Sequence, residues 1–450
     1  MISRPMRALQ KTRGHKRSLL ILGLWAVILF SVSACQKDSG DKPEARDTSD
    51  SSATTSATAT ADTTAGDADA NDLNNLDCPA GTLPNFNTRQ CDVCGGSKRC
   101  EAALADCKEE GNFCLDEGLV FAKNANGLVD DLVRASGLFR AACEKGNLKA
   151  CNNLGVHLER GLGVAKDLEA ALEHYKKSCT EDARDGCVNL AALLEKRGQL
   201  ASAHQIYEQE CKSDVPPACY NLAISLERSP PGIRDLERAK TLYEKACELK
   251  HPGACNNLGA MLARLGGIEK NKEMIVAARA SYQKGCELGQ PAACRNLGAM
   301  AEKGEGGPRD LSTARGSYDS ACRAGDINAC ARFALFDARG LAGEVNIERA
   351  VKLSMLACSN AEMLGCTTLG SLEQQGKTEA KAGLFAARKE LVRRCEAKRA
   401  EACDALGALS QRGIGQERDI AGAFDYYRKA CDYGSRLACA RLEKMPGNKK

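Results

Sequence analysis

Cys143-Glu144-Lys145-Gly146-Asn147-Leu148-Lys149-Ala150-Cys151-Asn152-Asn153-Leu154-Gly155 decides the fold. Two cysteines stand with seven residues between them, Ala150 before the second and Asn-Leu-Gly closely after it. The spacing returns at Cys179 and Cys187, Cys211 and Cys219, Cys247 and Cys255, Cys286 and Cys294, Cys322 and Cys330, Cys358 and Cys366, Cys395 and Cys403, and Cys431 and Cys439. Successive first cysteines are 32 to 39 residues apart. Repetition at this period predicts an array of like supersecondary units that bury a core only by stacking on one another.

One unit, residues 151–179, shows what is repeated. Leu154 and Leu158 lie one helical turn apart on a helix from about Ala150 to Arg160. Gly161-Leu162-Gly163 breaks it, and Asp167 caps a second helix in which Leu168, Ala171, Leu172 and Tyr175 recur at helical spacing up to Cys179. The unit is a helix hairpin. Each cysteine pair then joins the end of one second helix to the start of the next first helix, within the roughly 4.4–6.8 Å Cα separation of a disulfide. Cys107 and Cys114 stand in phase with the series but one residue closer together, as a degenerate first member. Ala or Gly precedes every second cysteine of the nine seven-spaced pairs, which predicts close helix approach beside each bridge. An aromatic stands four residues before most first cysteines (Phe139, Tyr175, Tyr207, Tyr243, Tyr282, Tyr318, Tyr427). That column reads either as a ligand-stacking stripe or as packing one turn below each bridge.

Composition agrees. Aromatics are only 4 % of the 450 residues, which suits helices packed through Ala, Leu and Gly. Twenty-five cysteines in regular pairs predict an oxidising compartment, hence export. The net charge of +4 contains six basic residues before Cys35 and no acidic ones, leaving −2 for a processed chain. Nothing in that balance points to nucleic acid.

The N-terminal end fits export. A basic region to Arg17 precedes the apolar run Leu19–Phe30, too short for a comfortable membrane span. Val32-Ser33-Ala34-Cys35 then resembles the bacterial lipobox, making 1–34 a signal peptide and Cys35 the lipidated residue; the alternative is an ordinary signal peptide cleaved after Ala34, or a short uncleaved anchor, with Cys35 a free thiol. Cysteine parity agrees, since the other 24 can all pair. Gln36, in place of a retention-favouring aspartate, points to the outer membrane of a bacterial cell envelope. Residues 36–77 are Ser, Thr, Ala and Asp with ten acidic and three basic residues, so with Cys35 they read as a disordered tether, 35–77. Residues 78–106 read as a small cap whose Cys78, Cys91, Cys94 and Cys100 form two structural disulfides; zinc ligation and a thiol redox pair are the alternatives, and three connectivities are open. The solenoid takes 107–445 and a tail 446–450.

These residues resemble the Sel-one-like repeat family, relatives of the tetratricopeptide repeat, through Leu154-Gly155, Gly161-Leu162-Gly163-Val164-Ala165-Lys166-Asp167, Leu406-Gly407 and Gly413-Ile414-Gly415. The seven-residue cysteine spacing resembles the Helicobacter cysteine-rich proteins, secreted members of that family. Three units depart from the pattern: 187–211 has a shortened turn, 255–286 an enlarged one, and 330–358 carries Phe333-Ala334 in place of Leu-Gly. The resemblance implies an all-α solenoid, a right-handed superhelix whose first helices line a concave surface. A repeat array with such a surface and no catalytic constellation reads as a non-catalytic, monomeric scaffold for protein, peptide or peptidoglycan-type ligands.

Members of the cysteine-rich group have also been described as penicillin-binding proteins or weak β-lactamases, which makes a hydrolase the runner-up and a structural envelope spacer the third reading. The residues do not favour the hydrolase. The S-x-x-K matches are Ser39-Gly40-Asp41-Lys42 and Ser281-Tyr282-Gln283-Lys284, without S-D-N or K-T-G partners. His157, His174, His204 and His251 are not at metal-ligand spacing. No catalytic, cofactor or metal residue is therefore expected.

Overall fold

In a computed structural model the described residues are 83–85, 90–92, 94, 97–106, 111–125 and 129–445. The signal segment, Cys35, the 36–77 stretch, Cys78, Cys107 and residues 446–450 lie outside them. The array begins with a feature that an all-α reading lacks: β1 (Leu83–Asn85) pairs antiparallel with β2 (Gln90–Asp92). α1 (Lys98–Asp106) follows, and Cys94 is bonded to Cys100.

From there helices alternate. The first helices of the hairpins are α2 (Asn112–Asn124), α4 (Leu148–Arg160), α6 (Arg184–Lys196), α8 (Pro216–Arg228) and α10 (Pro252–Glu269), then α12 (Pro291–Lys303), α14 (Ile327–Arg339), α16 (Met363–Gln374), α18 (Ala400–Arg412) and α20 (Arg436–Glu443). The second helices are α3 (Val129–Glu144), α5 (Leu168–Ser178), α7 (Leu200–Lys212), α9 (Leu236–Glu248) and α11 (Lys272–Glu287), then α13 (Leu311–Arg323), α15 (Ile347–Ser359), α17 (Thr378–Glu396) and α19 (Ile420–Asp432). Each packs on its neighbours in sequence, as a solenoid requires.

Local chemistry sets the boundaries. Asn147 caps α4 by accepting from the Ala150 N–H at 2.9 Å, and Asp167 caps α5 through the Glu169 and Ala170 N–H groups. The two turn glycines do different things. Gly161 adopts φ +70 to end α4, while a Cβ on Gly163 would lie 2.2 Å from the Leu132 carbonyl carbon of the preceding hairpin. The turn of one unit thus sits directly on the second helix of the unit before.

Within a hairpin the Leu-Gly motif exists for its tyrosine. A Cβ on Gly155, Gly259, Gly298 or Gly407 would meet the ring of Tyr175, Tyr282, Tyr318 or Tyr427 at 2.6–2.8 Å. Those rings are buried, at most 6 % exposed, so the aromatic column is packing. Gly118 holds Phe139 in the same way, which makes α2–α3 a unit of the same design, and Cys114 in α2 is disulfide-bonded.

Between hairpins every seven-spaced pair is a disulfide. Cys143 is bonded to Cys151, Cys179 to Cys187, Cys211 to Cys219, Cys247 to Cys255 and Cys286 to Cys294. In the second half Cys322 is bonded to Cys330, Cys358 to Cys366, Cys395 to Cys403 and Cys431 to Cys439. Their Cα separations of 4.3–4.8 Å lie at the short end of what a bridge spans, because each second cysteine sits in the first turns of a helix pressed against the end of the preceding one. None of these eighteen sulfurs is therefore a thiolate, and their role is to fasten one hairpin to the next.

The small residue before each second cysteine has a steric reason. A Cβ on Gly186, before Cys187, would lie 2.8 Å from the Ser178 carbonyl, and one on Gly365, before Cys366, 2.6 Å from the Ser354 oxygen. Lys177 and Lys245 add a further link by donating to the Cys143 and Cys211 carbonyls at 3.0 and 2.8 Å. Each places a cation where the preceding second helix ends and its dipole is negative.

The insertion in 255–286 is not an enlarged turn. α10 and α11 run 18 and 16 residues and are joined by Lys270 and Asn271 alone, so the extra chain became helix. Ala260 to Leu265 are mostly good helix formers with no breaker, and helix propagates more easily than a loop closes. In 330–358, Phe333 takes the leucine position and is covered by the guanidinium groups of Arg315 and Arg349, 5.4 and 4.9 Å from its centroid. Both arginines bind Asp337, a fully buried carboxylate standing where α4, α6, α8 and α10 carry a leucine. The apolar core is interrupted nearby, with one cluster ending at Phe336 and the next starting at Ala350.

Candidate interaction face

The exposed side of the first helices repeats as regularly as the buried side. Counting from the second cysteine of each pair, positions two, five and nine project within about 60° of one another on a helix and away from the bridge. They hold an amide, a small or aliphatic residue and a cation: Asn153, Val156, Arg160 on α4; Asn189, Ala192, Lys196 on α6; Asn221, Ile224, Arg228 on α8; Asn257, Ala260, Arg264 on α10; Asn296, Ala299, Lys303 on α12. α14 substitutes Arg332, Leu335 and Arg339. Beyond α14 the pattern fades, since Thr368 of α16 and Ala405 and Ala408 of α18 are buried.

The amides connect neighbouring helices. Asn189 donates to Oδ1 of Asn152 at 2.8 Å, Asn296 to Oδ1 of Asn256 at 3.1 Å, and Asn257 to the Tyr220 and Tyr243 hydroxyls at 3.5 Å. These bonds join α4 to α6, and α8 to α10 to α12, along the face.

One residue before the cations runs a row of carboxylates that is already engaged. Glu159, Glu195, Glu227 and Glu302 accept from the hydroxyls of Tyr175, Tyr207, Tyr243 and Tyr318. The next hairpin supplies Lys196 to Glu159, Arg264 to Glu227 and Arg332 to Glu302. Burial first, and then the adjacent carboxylate, holds these phenols protonated far above their ordinary range; Tyr282, with no such carboxylate, is pushed up to about 12 by burial. Among the described residues no carboxylate lies within ion-pairing distance of Arg160, Arg228, Arg339 or Arg412, all exposed. Further along the array, between α16 and the turn that follows α18, a groove of about 600 Å³ is lined by Gly370, Ser371, Lys381 and Ile414 among others.

The histidines are elsewhere, in the packing. His157 is pushed down to about 4 by burial, and its Nδ1 lies 2.7 Å from Ser136 Oγ and 3.0 Å from the Leu162 carbonyl. Ser136 Oγ is itself within 2.9 Å of the Leu132 and Leu162 carbonyls, so the hydroxyl donates to a carbonyl and the imidazole N–H donates to the hydroxyl. That polarity is the reverse of a base activating a nucleophile. His204 and Ser225 repeat the pair at the same two positions with the residues exchanged, Nε2 to Oγ 2.8 Å, and Ser225 is buried. His251 caps α10 by accepting from the Ala254 N–H and stacks on Tyr220, their centroids 4.3 Å apart; burial holds it at about 4. His174 Nδ1 stands 3.6 Å from Cys143 Sγ, but Cys143 is bonded to Cys151 and offers no thiolate. Ser281 Oγ donates to the Ala277 carbonyl of its own helix at 2.8 Å, so the S-x-x-K text at 281–284 brings no serine to a lysine. Ser39 and Lys42 lie outside the described residues.

The comparisons with known proteins follow from this repeat. A family profile described as Sel1 repeat matches residues 148–182, 216–251, 252–290, 291–326 and 400–435. The chain carries five Sel1 repeats. The Sel1 profile thus covers the hairpins α4–α5, α8–α9, α10–α11, α12–α13 and α18–α19. Among solved structures the chain is similar to a protective antigen of uropathogenic Escherichia coli displaying an SLR fold, at 21 % identity and TM-score 0.44 over 78 % of this chain and 81 % of that one. It is also similar to a Sel1 repeat protein from Oxalobacter formigenes, at 20 % identity and TM-score 0.44 over 78 % and 92 %. A curated relative, cytochrome c oxidase assembly factor 7 of Mus musculus, is 32 % identical over 89 residues, 18 % of this chain and 38 % of that relative's length.

The amide and cation columns are what a reading of the cysteines alone overlooks. Their signal is present in the text, at fixed offsets from each second cysteine.

Proposed function

We propose that this chain is a non-catalytic interaction scaffold that holds a protein or peptide partner along the exposed face of its first helices. The observation that supports the reading is the amide–aliphatic–cation stripe repeated on α4, α6, α8, α10 and α12, with amide hydrogen bonds joining α4 to α6 and α8 to α10 to α12. Side-chain amides both donate and accept, as a peptide backbone does, and the small residue between amide and cation leaves the backbone room to approach. The second helices and the bridges hold these stripes in register. Anchoring in a bacterial outer membrane through a lipid on Cys35 is part of the same proposal, resting on the lipobox-like Val32-Ser33-Ala34-Cys35.

Placing a photo-crosslinking residue at Ala260, on the stripe of α10, and separately at Glu248, the exposed last residue of α9, tests the reading in cells that express the protein. A discrete adduct from position 260 and none from 248 is expected. Equal labelling from both sites, or none from 260, refutes it. For the anchor, Cys35→Ala is expected to abolish incorporation of labelled fatty acid and to shift the chain from the detergent phase to the aqueous one.

A further inference from the structure

Resting on the scaffold reading, the geometry points to the chemistry of the partner: we propose that the first-helix face from α4 to α14 binds an extended acidic polypeptide segment carrying a carboxylate at about every third residue. Position nine is cationic on all six of these helices: Arg160, Lys196, Arg228, Arg264, Lys303 and Arg339. All six are exposed; Lys196, Arg264 and Lys303 already pair with Glu159, Glu227 and Glu305, whereas Arg160, Arg228 and Arg339 have no carboxylate in ion-pairing distance among the described residues and are the cations open to a ligand. Helix C-termini favour cations, which accounts for one such residue at one helix end. It does not account for amides two turns earlier on the same face, nor for their bonding across hairpins.

The repeat sets the ligand's register. Neighbouring first helices touch each other less closely than they touch the second helices, so their spacing is about 9–10 Å or somewhat more; an extended chain advances about 3.3 Å per residue, and successive cations therefore match about every third side chain of a strand laid across the helices. Between the cations, Ala192, Ile224, Ala260 and Ala299 are small or aliphatic, and the asparagines face the backbone of such a strand. The arrangement disfavours a nucleic acid. Glu159, Glu195, Glu227 and Glu302 stand one residue before four of the cations and oppose an evenly charged phosphate chain. A peptide can place its carboxylates over the arginines and leave uncharged residues over the glutamates.

The test uses the full chain with its disulfides formed. The probe is a fluorescent peptide of Glu-Ala-Ser triplets, about 18 residues long so as to cross six helices. Its comparators are the Gln-Ala-Ser peptide, a peptide of the same composition with the glutamates in one block, and oligothymidylate. The spaced acidic peptide is expected to bind roughly tenfold more tightly than either peptide comparator, with affinity falling as salt rises. The triple variant Arg160→Gln, Arg228→Gln, Arg339→Gln is expected to lose that advantage at an unchanged melting temperature, and the corresponding triple Lys variant to keep most of it. Equal binding of the Glu and Gln peptides, indifference to glutamate spacing, tighter binding of the oligonucleotide, or no binding of the spaced peptide each overturns the proposal. An adduct from position 260 in cells combined with any of these results leaves the scaffold reading standing and removes only the acidic partner.

Discussion

Gly259 and Gly267 share α10 and make opposite predictions. A Cβ at 259 would lie 2.7 Å from Cδ1 of the buried Tyr282 ring, whereas one at 267 would meet nothing within 4 Å. Gly259→Ala is expected to destabilise the protein by about 2 kcal/mol in urea unfolding, and Gly267→Ala to stabilise it by about 0.5–1 kcal/mol. Equal effects would refute the packing role given to the Leu-Gly motif. His251 offers a second test at this scale. Its folded pKa of about 4 lies below the ordinary 6.5, so between these values the unfolded chain takes up a proton that the folded one refuses. Its neutral form is fully compatible with folding above about pH 6.5, and stability drains away as the pH falls toward 4, by at most about 3 kcal/mol. His251→Asn keeps a capping side chain of the kind Asn147 provides, so its melting temperature is expected to fall less than the parent's between pH 7.5 and 5. Parallel curves would exclude His251 as a source of acid sensitivity.

The helix hairpin is the element that the sequence describes best. Asp167, Gly161-Leu162-Gly163 and the leucine spacing place α4 and α5 to within two residues, because caps, breakers and periodicity are local signals. The bridges are legible for the same reason, each cysteine and its partner lying within one turn of chain. Three things are not legible. The insertion at 255–286 lengthens two helices, since a hydrophobic pattern does not say whether extra residues loop or coil. The strands β1 and β2 are only three residues each, with no alternation to betray them. The second role of glycine in the Gly-x-Gly turn, room for the Leu132 backbone, depends on a contact from another hairpin. The Tyr column, by contrast, is visible as a column and ambiguous in purpose; only burial of the rings against glycine decides it. The bridge is this scale's prediction. Cys247→Ser with Cys255→Ser opens a loop of nine residues and is expected to cost about 2.5 kcal/mol on the chain-entropy account. Hydrogen exchange should rise in α9 and α10 first, because each hairpin touches only its neighbours. Uniform loosening of the array would contradict that locality.

Across the whole array, stability is a sum of hairpins and interfaces, and the interfaces are unequal. Most are apolar, with Tyr–Glu–cation links at the margin. The one between α13, α14 and α15 is built on Asp337, which accepts from Arg315 at 2.5 Å and also binds Arg349. Removing the carboxylate leaves two arginines without their partner beside a buried ring, and breaking such a cluster costs about 3–5 kcal/mol. Asp337→Ala is therefore expected to expose the Gly340–Asn346 turn to protease while fragments on either side stay folded. If cleavage distributes along the chain instead, the array is more cooperative than its divided core indicates. The amide and cation stripe also belongs to this scale. No single helix displays it as more than a polar face, and it acquires meaning only when six helices are compared at the same offset.

The bridges between hairpins have one more consequence. Every one of the nine, from Cys143–Cys151 to Cys431–Cys439, closes over the nearest cysteine in sequence, eight positions on. The correct partner of each thiol is thus its most concentrated neighbour even in an unfolded chain, since short loops close most readily. Oxidation can proceed in step with emergence of the polypeptide, each hairpin being fastened before the next appears. A protein with so many cysteines would ordinarily depend on shuffling of mispaired bonds, and this one is spelled so that the first bond formed is usually the right one.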